Sequence, residues 1–488
     1  MRILIASSEA VPYVKTGGLG DIAGTLAKLL STRDHSVCLV IPLYKSIKEQ
    51  QQDIKIAIPT LNVSMGDSTV QCRIWMKKES SGLIVYFIEH DIFFDRSSLY
   101  GDKSVAYEDN GARFAFFSKA ILELTISIKF QPEIIHVNDW QTALIPYYLK
   151  TWHWKNNDFR KTATVLTIHN IGYQGQINRS FSKFIGINWM QMRPAEFESF
   201  QGINLLKGGI FYADQITTVS PTYAKEILSE PGGSGLSPFL KRRKDDVAGI
   251  LNGMDIEEWN THSNPFLPAQ YDLNHLEGKA ICKSELQKRF RLPQKSEIPL
   301  FAFVGRFAHQ KGLNLLIECM AEILSWELQI VILGDGDIEY SGFFGNLPID
   351  YPEKVGSYIG FEPQLAHLIE AGSDFFIMPS LYEPCGLNQM YSMIYGSVPI
   401  VRKTGGLNDT VENFDLDNHR GTGFVFEDMK PEALKNTIGW ALDTWYNKKK
   451  AYKDMQKRAM KQDFSWKNPV KKYERIYRRA NMRKADWY

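Results

Sequence analysis

The sequence predicts an α/β protein built from two doubly wound parallel-sheet domains, and three observations carry that prediction. Short apolar runs, too brief for helices, recur along both halves, each followed by a polar or glycine-bearing loop and then a segment with helical spacing. At 488 residues the chain is too long for a single core. The same alternation starts afresh after a Pro- and Asn-rich stretch at about 252–268. Strands that alternate with helices and end in polar residues imply a parallel sheet, which binds ligands beyond its strand carboxyl ends.

Residues 2–6 (RILIA) read as a buried parallel strand. After a loop with Pro12 and two glycines, Leu19, Ile22, Ala23, Leu26, Leu29 and Leu30 recur at helical spacing and predict an amphipathic helix. Residues 37–41 are the next strand. The unit then returns: 134–137 precede Asn138-Asp139-Trp140, 163–168 precede His169-Asn170, and 215–219 precede Ser220-Pro221. In the second half, 299–304 read as strand, 312–326 as helix, and 329–333 as a strand ending in Gly334-Asp335-Gly336. Strands at 355–359 and 375–378 follow, with a helix at 363–371 between them. The stretch at 252–268 is the expected linker, and the aromatic, basic tail from about 467 reads as helix.

Composition narrows the function classes. Apolar residues at 44% and charged residues at 23% are those of an ordinary globular protein. A formal net charge of +2 gives no broad basic field, which argues against nucleic acid as a partner. The run Lys241-Arg242-Arg243-Lys244 is answered by Asp245 and Asp246 and is expected as a solvated loop. Cys38, Cys72, Cys282, Cys319 and Cys385 show neither paired nor metal-ligand spacing, which suits a reducing compartment. No apolar run approaches the roughly 18 residues of a membrane span, and no signal segment precedes the first strand. The expectation is a cytoplasmic protein without a membrane partner, or a plastid stromal one if a transit peptide has been removed. The ten histidines are scattered, with no H-E-x-x-H, so no metal site is expected.

Three loops carry chemistry. Lys15-Thr16-Gly17-Gly18-Leu19 joins a strand to a helix whose first amides would face an anion; it is neither a dinucleotide fingerprint nor a Walker loop. Asp21 falls in the first turn of that helix, where a carboxylate also suits the helix dipole. Arg306 and Lys311 lie on one strand-to-helix connection and form a candidate diphosphate clamp, Arg as a fork and Lys as a point charge. Glu383 opens Glu383-Pro384-Cys385-Gly386-Leu387-Asn388-Gln389; a carboxylate beside a phosphate site would repel it, so Glu383 is expected to accept hydrogen bonds from sugar hydroxyls or face a developing cation. Cys385 is read as a small packing residue. Asp139 and His169 each end a strand of the first half, and Gly405-Gly406-Leu407 repeats an amide-rich turn at a helix start.

KTGGLGD at 15–21, HNIGYQG at 169–175, NGMD at 252–255, GRFAHQKG at 305–312, EPCGLNQ at 383–389 and TGGLNDT at 404–410 resemble, in order, the motifs of bacterial glycogen synthases and plant starch synthases. The resemblance spans about 400 residues. It implies a retaining, metal-independent glycosyltransferase of the GT-B fold, two Rossmann-like domains facing a deep cleft, without a cofactor. The N-terminal domain would be 1–250, joined by the tail helix of about 467–488, on the acceptor-glucan side; the C-terminal domain would be 251–466, on the nucleotide-sugar side. The implied reaction moves glucose from ADP-glucose to the non-reducing 4-hydroxyl of an α-1,4-glucan, in glycogen or starch biosynthesis. Lys15, Gly17, Gly18 and Asp21 match the donor-contacting glycine loop, Arg306 and Lys311 the phosphate-holding pair, and Glu383 the acid on the donor sugar. Gly386, Leu387 and Asn388 fall where backbone amides approach glucose and phosphates. His169 matches the residue beside the anomeric carbon, Asp139 a sugar-side carboxylate, and Asn252 a donor contact. The implied catalytic set is Glu383, His169, Asp139, Lys311 and Arg306.

The chain departs from the family at several points. Phe361 stands where a Tyr often stacks on the base, Asn388 where Thr is common, and Asn138 and Gln141 flank Asp139 where His is frequent. Ring stacking survives a change from Tyr to Phe. The choice between adenine and uracil is therefore open. UDP-glucose-dependent and sucrose-type GT-B transferases stay as alternatives, as does a non-catalytic glucan-binding protein on the same scaffold.

Overall fold

Parallel strands cannot be joined by hairpins, so each must be followed by a crossover, and this rule accounts for most of what the chain builds. The computed structural model describes residues 1–51, 53–102 and 105–485, in two units. Unit 1 comprises Met1–Val219, Ala224–Ile250 and the chain from Lys467 onward; unit 2 comprises Ser220–Tyr223 and Leu251–Trp466.

Unit 1 holds a nine-stranded sheet. Its strands are β1 (Arg2–Ala6), β2 (Ser36–Pro42), β3 (Lys55–Met65), β4 (Ser68–Lys78), β5 (Ile84–Glu89), β6 (Ile134–Asn138), β7 (Ala163–Ile168), β8 (Gln215–Thr218) and β9 (Val247–Gly249). The order is β9-β8-β7-β6-β1-β2-β5-β4-β3. Seven strands are mutually parallel, and β4 and β3 extend the sheet as an antiparallel hairpin. The central strands are buried along nearly their whole length because helices cover both faces. The hairpin was not expected from the sequence. Its signal is the alternation at Leu61, Val63 and Met65, buried between exposed neighbours, against which the Asn110–Ser127 helix packs.

The C-terminal helix Lys467–Ala485 belongs to unit 1. Tyr473 and Tyr477 bury their rings, and the Tyr477 hydroxyl meets His136 Nδ1 at 2.9 Å. His136 Nε2 lies 2.6 Å from Thr167 Oγ1, so the imidazole links the helix to β7 across the sheet face. Glu474 accepts two bonds from Arg33 (2.7 and 3.3 Å) and one contact from His35 at 3.2 Å, and Arg483 pairs with Asp246.

Unit 2 holds a six-stranded, all-parallel sheet made of β10 (Leu300–Val304), β11 (Gln329–Gly334), β12 (Val355–Ile359), β13 (Phe375–Met378), β14 (Val398–Arg402) and β15 (Phe424–Phe426). The order β12-β11-β10-β13-β14-β15 is the Rossmann order 3-2-1-4-5-6. Lys283 Nζ pairs with buried Asp374 at 2.7 Å, and the same carboxylate oxygen accepts the Leu300 amide at 2.8 Å, tying the helix before the sheet to its central strand.

Two expectations need correction. The stretch at 252–268 is not a free linker: Trp259 stacks on Tyr391 at 3.7 Å and on His367 at 4.0 Å, and buried Asn264 donates to the Tyr395 hydroxyl at 2.8 Å. Buried aromatic and amide partners outweigh its loop-like composition. In the run 241–244, Lys241, Arg242 and Lys244 are exposed as expected, but Lys241 and Arg242 end the Ser237–Arg242 helix instead of forming a loop, and Arg243 is tied down. Arg243 donates to the carbonyls of Ile210 and Ala213 at 2.7 Å each and pairs with Asp246 at 2.7 Å, so it closes two backbone segments.

Replacing Tyr477 by Phe leaves His136 Nδ1 buried without its partner, and an unsatisfied buried group costs about 1–3 kcal/mol. Urea unfolding should show a loss of that size; an unchanged midpoint would mean that the Tyr477–His136 bond adds nothing to the hold on the helix.

Candidate active site

In unit 2 the strand order reverses between β10 and β13: the chain leaves β10 toward β11 on one side and leaves β13 toward β14 on the other. A crevice opens beyond the carboxyl ends of two such strands. Arg306 lies two residues past the end of β10 and is exposed, and Lys311 closes a 3-10 turn at His309–Lys311 before the Leu313–Ile323 helix. Glu383 follows β13, and its carboxylate is buried. Lys311 Nζ lies 2.6 Å from Glu383 Oε2, and Ser380 Oγ donates to the same oxygen at 3.0 Å. Oε1 keeps no protein partner among the described residues.

The remaining unit 2 candidates surround this pair. Gly386 takes a left-handed backbone (φ +69°) that favours glycine, and Leu387 precedes the Asn388–Ile394 helix. The Asn388 side chain donates to the Val304 carbonyl at 2.7 Å, binding that helix start to the end of β10. Asn252 is 2% exposed, and apart from the Cys385 thiol beside it neither atom of its amide has a partner among the described residues. Burial pushes the Cys385 thiol up to about 12, the state of a packed thiol and not of a nucleophile. Phe361, after β12, is 83% exposed and presents a bare ring. Gly406 is corrected: its amide donates to the Glu383 carbonyl at 3.0 Å and is not available to an anion.

Unit 1 has its own reversal, between β1 and β6. Asn138 Nδ2 donates across it to the Ala6 carbonyl at 3.0 Å, which leaves Asn138 Oδ1 as acceptor for His169 Nε2 at 2.8 Å. The proton of His169 therefore sits on Nε2, and Nδ1 is a bare acceptor, buried and without a partner among the described residues. Burial, with neighbouring His136, pulls the imidazole down to about 3, so it is neutral at working pH. Asp139 holds a left-handed backbone (φ +53°), and its Oδ1 accepts the His169 amide at 2.7 Å. Burial pushes its carboxyl up to about 7 against those amide donors, and the nearby charge of Glu9 acts in the same upward direction.

The glycine loop rests on Glu9, a residue sequence reasoning missed. Buried Glu9 accepts the Thr16 hydroxyl at 2.8 Å, the Tyr100 hydroxyl at 2.5 Å and the Thr16 amide. Its signal was available as a carboxylate three residues past β1. Lys15 and Asp21 form an ion pair at 2.9 Å, so each expected donor contact already answers the other. Gly17 is exposed and extended (φ −167°), and a Cβ there would meet nothing within 4 Å. The fold does not require glycine at that point. Ser380 was also missed, since a short polar residue after a strand is too common to single out, and Asn138 was noted only as a departure from the family beside Asp139.

Unit 2 thus offers two cations and a carboxylate with one open oxygen, and unit 1 offers a neutral imidazole acceptor, a carboxyl poised near neutrality and an open glycine loop. Among the described residues no three His, Cys, Asp or Glu side chains are grouped to hold a metal ion, and no helix is long and apolar enough to cross a membrane.

Comparison with known proteins gives the family. A model described as the starch synthase catalytic domain matches residues 2–242, and one described as glycosyl transferases group 1 matches residues 284–462. Glycogen synthase 1 of Geobacter sulfurreducens is 42% identical over 482 residues, covering 98% of this chain and 96% of its own. A glycogen synthase of an Anaeromyxobacter species is 43% identical over 479 residues, covering 98% and 99%. The catalytic domain of starch synthase IV from Arabidopsis thaliana, solved bound to ADP and acarbose, superposes with a TM-score of 0.89 at 33% identity over 99% of both chains. Sucrose-phosphate synthase from Thermosynechococcus elongatus shares the fold alone, with a TM-score of 0.60 at 16% identity over 98% of both chains. Near-complete coverage at such identity, on two Rossmann-like sheets, means that the chain belongs to the glycogen and starch synthase family of GT-B glycosyltransferases.

Proposed function

We propose that the chain transfers glucose from ADP-glucose to the 4-hydroxyl at the non-reducing end of an α-1,4-glucan, with retention of configuration. The observation that carries this reading is the Lys311–Glu383 pair at the β10/β13 reversal, on loops that also bring Arg306. Family membership supports it, as does the starch synthase bound to ADP and acarbose. As the bond from C1 to the phosphate oxygen breaks, negative charge grows on the diphosphate and positive charge on the sugar ring. Arg306 and Lys311 stabilise the first charge, and fixed donors of this kind are each worth about 3–4 kcal/mol. Glu383 Oε1 accepts hydroxyls of the donor glucose while Lys311 and Ser380 hold Oε2. The new bond forms from the acceptor 4-oxygen to C1 on the face that the phosphate leaves, and the acceptor proton passes to that phosphate. No covalent enzyme intermediate forms.

His169 Nδ1 suits a sugar hydroxyl donor, and ionised Asp139 suits the developing cation. Lys15 and Gly18 contact the donor from the glycine loop, where the absence of a Cβ at Gly17 leaves room for it. Asp21 orients Lys15. Asn252, Gly386, Leu387 and Asn388 line the donor side, and the Phe361 ring stacks on the base. The clamp meets the phosphate charge without a metal ion. Five unpaired, buried cysteines support a cytoplasmic setting.

Glu383→Ala and Lys311→Ala should each lower kcat roughly a hundredfold to a thousandfold with the fold retained. Steady-state assays with ADP-glucose and glycogen, beside circular dichroism, check this; wild-type turnover in either variant removes the assignment. Nucleotide release measured across donors, with and without glucan primer and in excess chelator, should be fastest with ADP-glucose, require primer and persist. Faster turnover with UDP-glucose overturns the donor, and collapse in chelator overturns metal independence. The Asp139 carboxyl ionises as pH rises through about 7, so kcat/KM should climb across that range. Asp139→Asn, which cannot ionise, should lower activity and flatten that limb; an unaltered profile would take Asp139 out of the chemistry.

A further inference from the structure

The tetrapeptide Ser220–Tyr223 leaves β8 and belongs to unit 2, although the chain on either side of it belongs to unit 1. Its bonds account for that placement. Ser220 Oγ donates to the Pro384 carbonyl at 2.6 Å and accepts the Tyr223 amide at 3.2 Å. Asp409 takes the Thr222 amide at 2.8 Å with one carboxylate oxygen and the Thr222 hydroxyl at 2.7 Å with the other, and Asn408 donates to that hydroxyl at 3.0 Å.

Asp409 lies on the Gly405–Thr410 helix, which also grips the Glu383 loop. Gly406 donates to the Glu383 carbonyl, and a Cβ on Gly405 or Gly406 would overlap the Glu383 or Cys385 carbonyl, so only glycine permits the approach. Three successive carbonyls are therefore taken: Glu383 by the Gly406 amide, Pro384 by Ser220, and Cys385 by Gln389 Nε2 at 3.1 Å. The circuit runs from Glu383 through Pro384 to Ser220 and Thr222, then through Asp409 and its helix to Gly406 and back. While the backbone of the loop is held in this way, the Glu383 side chain meets Lys311 and Ser380.

We propose that Ser220, Thr222 and Asp409 are positioning residues for the Glu383 carboxylate, acting on catalysis through the loop without touching substrate. The inference rests on the reading of Glu383 as the donor-sugar carboxylate. A loop loosened by a fraction of an ångström misplaces a charge that must meet the transition state, and such displacements cost rate steeply.

The test is kcat and KM for ADP-glucose, with melting temperature, in Ser220→Ala, Thr222→Val, Asp409→Ala and Asp409→Asn, and Ser220→Ala repeated in Glu383→Gln. Ser220→Ala and Asp409→Ala should lower kcat about tenfold with little change in KM or melting. Asp409→Asn keeps one acceptor oxygen and should recover most of the loss. Thr222→Val keeps the amide bond and the side-chain shape, and should fall between, which serves if Asp409→Ala fails to fold. In Glu383→Gln, removing the Ser220 hydroxyl should cost nothing further. Wild-type kcat in Ser220→Ala and Thr222→Val beside an inactive Glu383→Gln overturns the inference alone, as does a full tenfold loss on the Glu383→Gln background. Wild-type turnover in Glu383→Gln itself overturns the Glu383 reading and the inference with it.

Discussion

A strand in a parallel sheet must hand its chain to a crossover, so every such strand delivers its carboxyl end to the same rim. Where the strand order reverses, two neighbouring crossovers diverge and the rim opens. Unit 1 does this between β1 and β6, and unit 2 between β10 and β13. Asn138, Asp139 and Glu9 stand at the first opening and Arg306, Lys311 and Glu383 at the second. The candidate site residues thus gather where the topology leaves backbone uncovered.

The two openings are electrically different. In unit 2 a buried carboxylate is compensated by an ammonium group at 2.6 Å and by a hydroxyl, which makes its burial tolerable. In unit 1 burial moves the buried groups toward neutrality: His169 is pulled down to about 3, and Asp139 is pushed up to about 7. Desolvation drives both shifts, in opposite directions because one group is charged when protonated and the other when deprotonated. A diphosphate needs fixed positive charge, whereas a sugar needs acceptors and donors that do not drag a full charge into a dry site. Burial sets the unit 1 groups, whereas the positive charge of unit 2 comes from exposed Arg306 and from Lys311 paired with Glu383.

Around these centres the glycines divide into two kinds. Gly405 and Gly406 are demanded by the backbone they press against, and alanine at either would collide with a carbonyl of the Glu383 loop. Gly17 meets nothing, and its extended backbone would accept any residue. The first kind fixes the Glu383 loop, and the second constrains nothing around it. Their motifs, KTGGLGD and TGGLNDT, look alike as letters, and the expectation of an amide-rich anion turn at 405–407 treated them alike. The structure separates them, because the Gly406 amide is consumed inside the protein.

Periodicity and strand-terminal polar residues were enough to read the α/β class, the two sheets and the loops that carry Lys15, Asp139, His169, Arg306, Lys311 and Glu383, because these depend on local spacing and on where a buried run must stop. The β3–β4 hairpin was legible only in hindsight, since three alternating apolar residues compete with every other short pattern in a long chain. Long-range partnership was not legible at all. That Glu9 takes the Tyr100 hydroxyl, that Asn138 sets the tautomer of His169, that residues 252–268 pack by aromatic stacking, and that Asp409 reaches Thr222 across 187 positions are facts of three-dimensional proximity. Local order is written in neighbouring residues, whereas burial, protonation and the aim of a side chain come from atoms that the folded chain alone brings within a few ångströms.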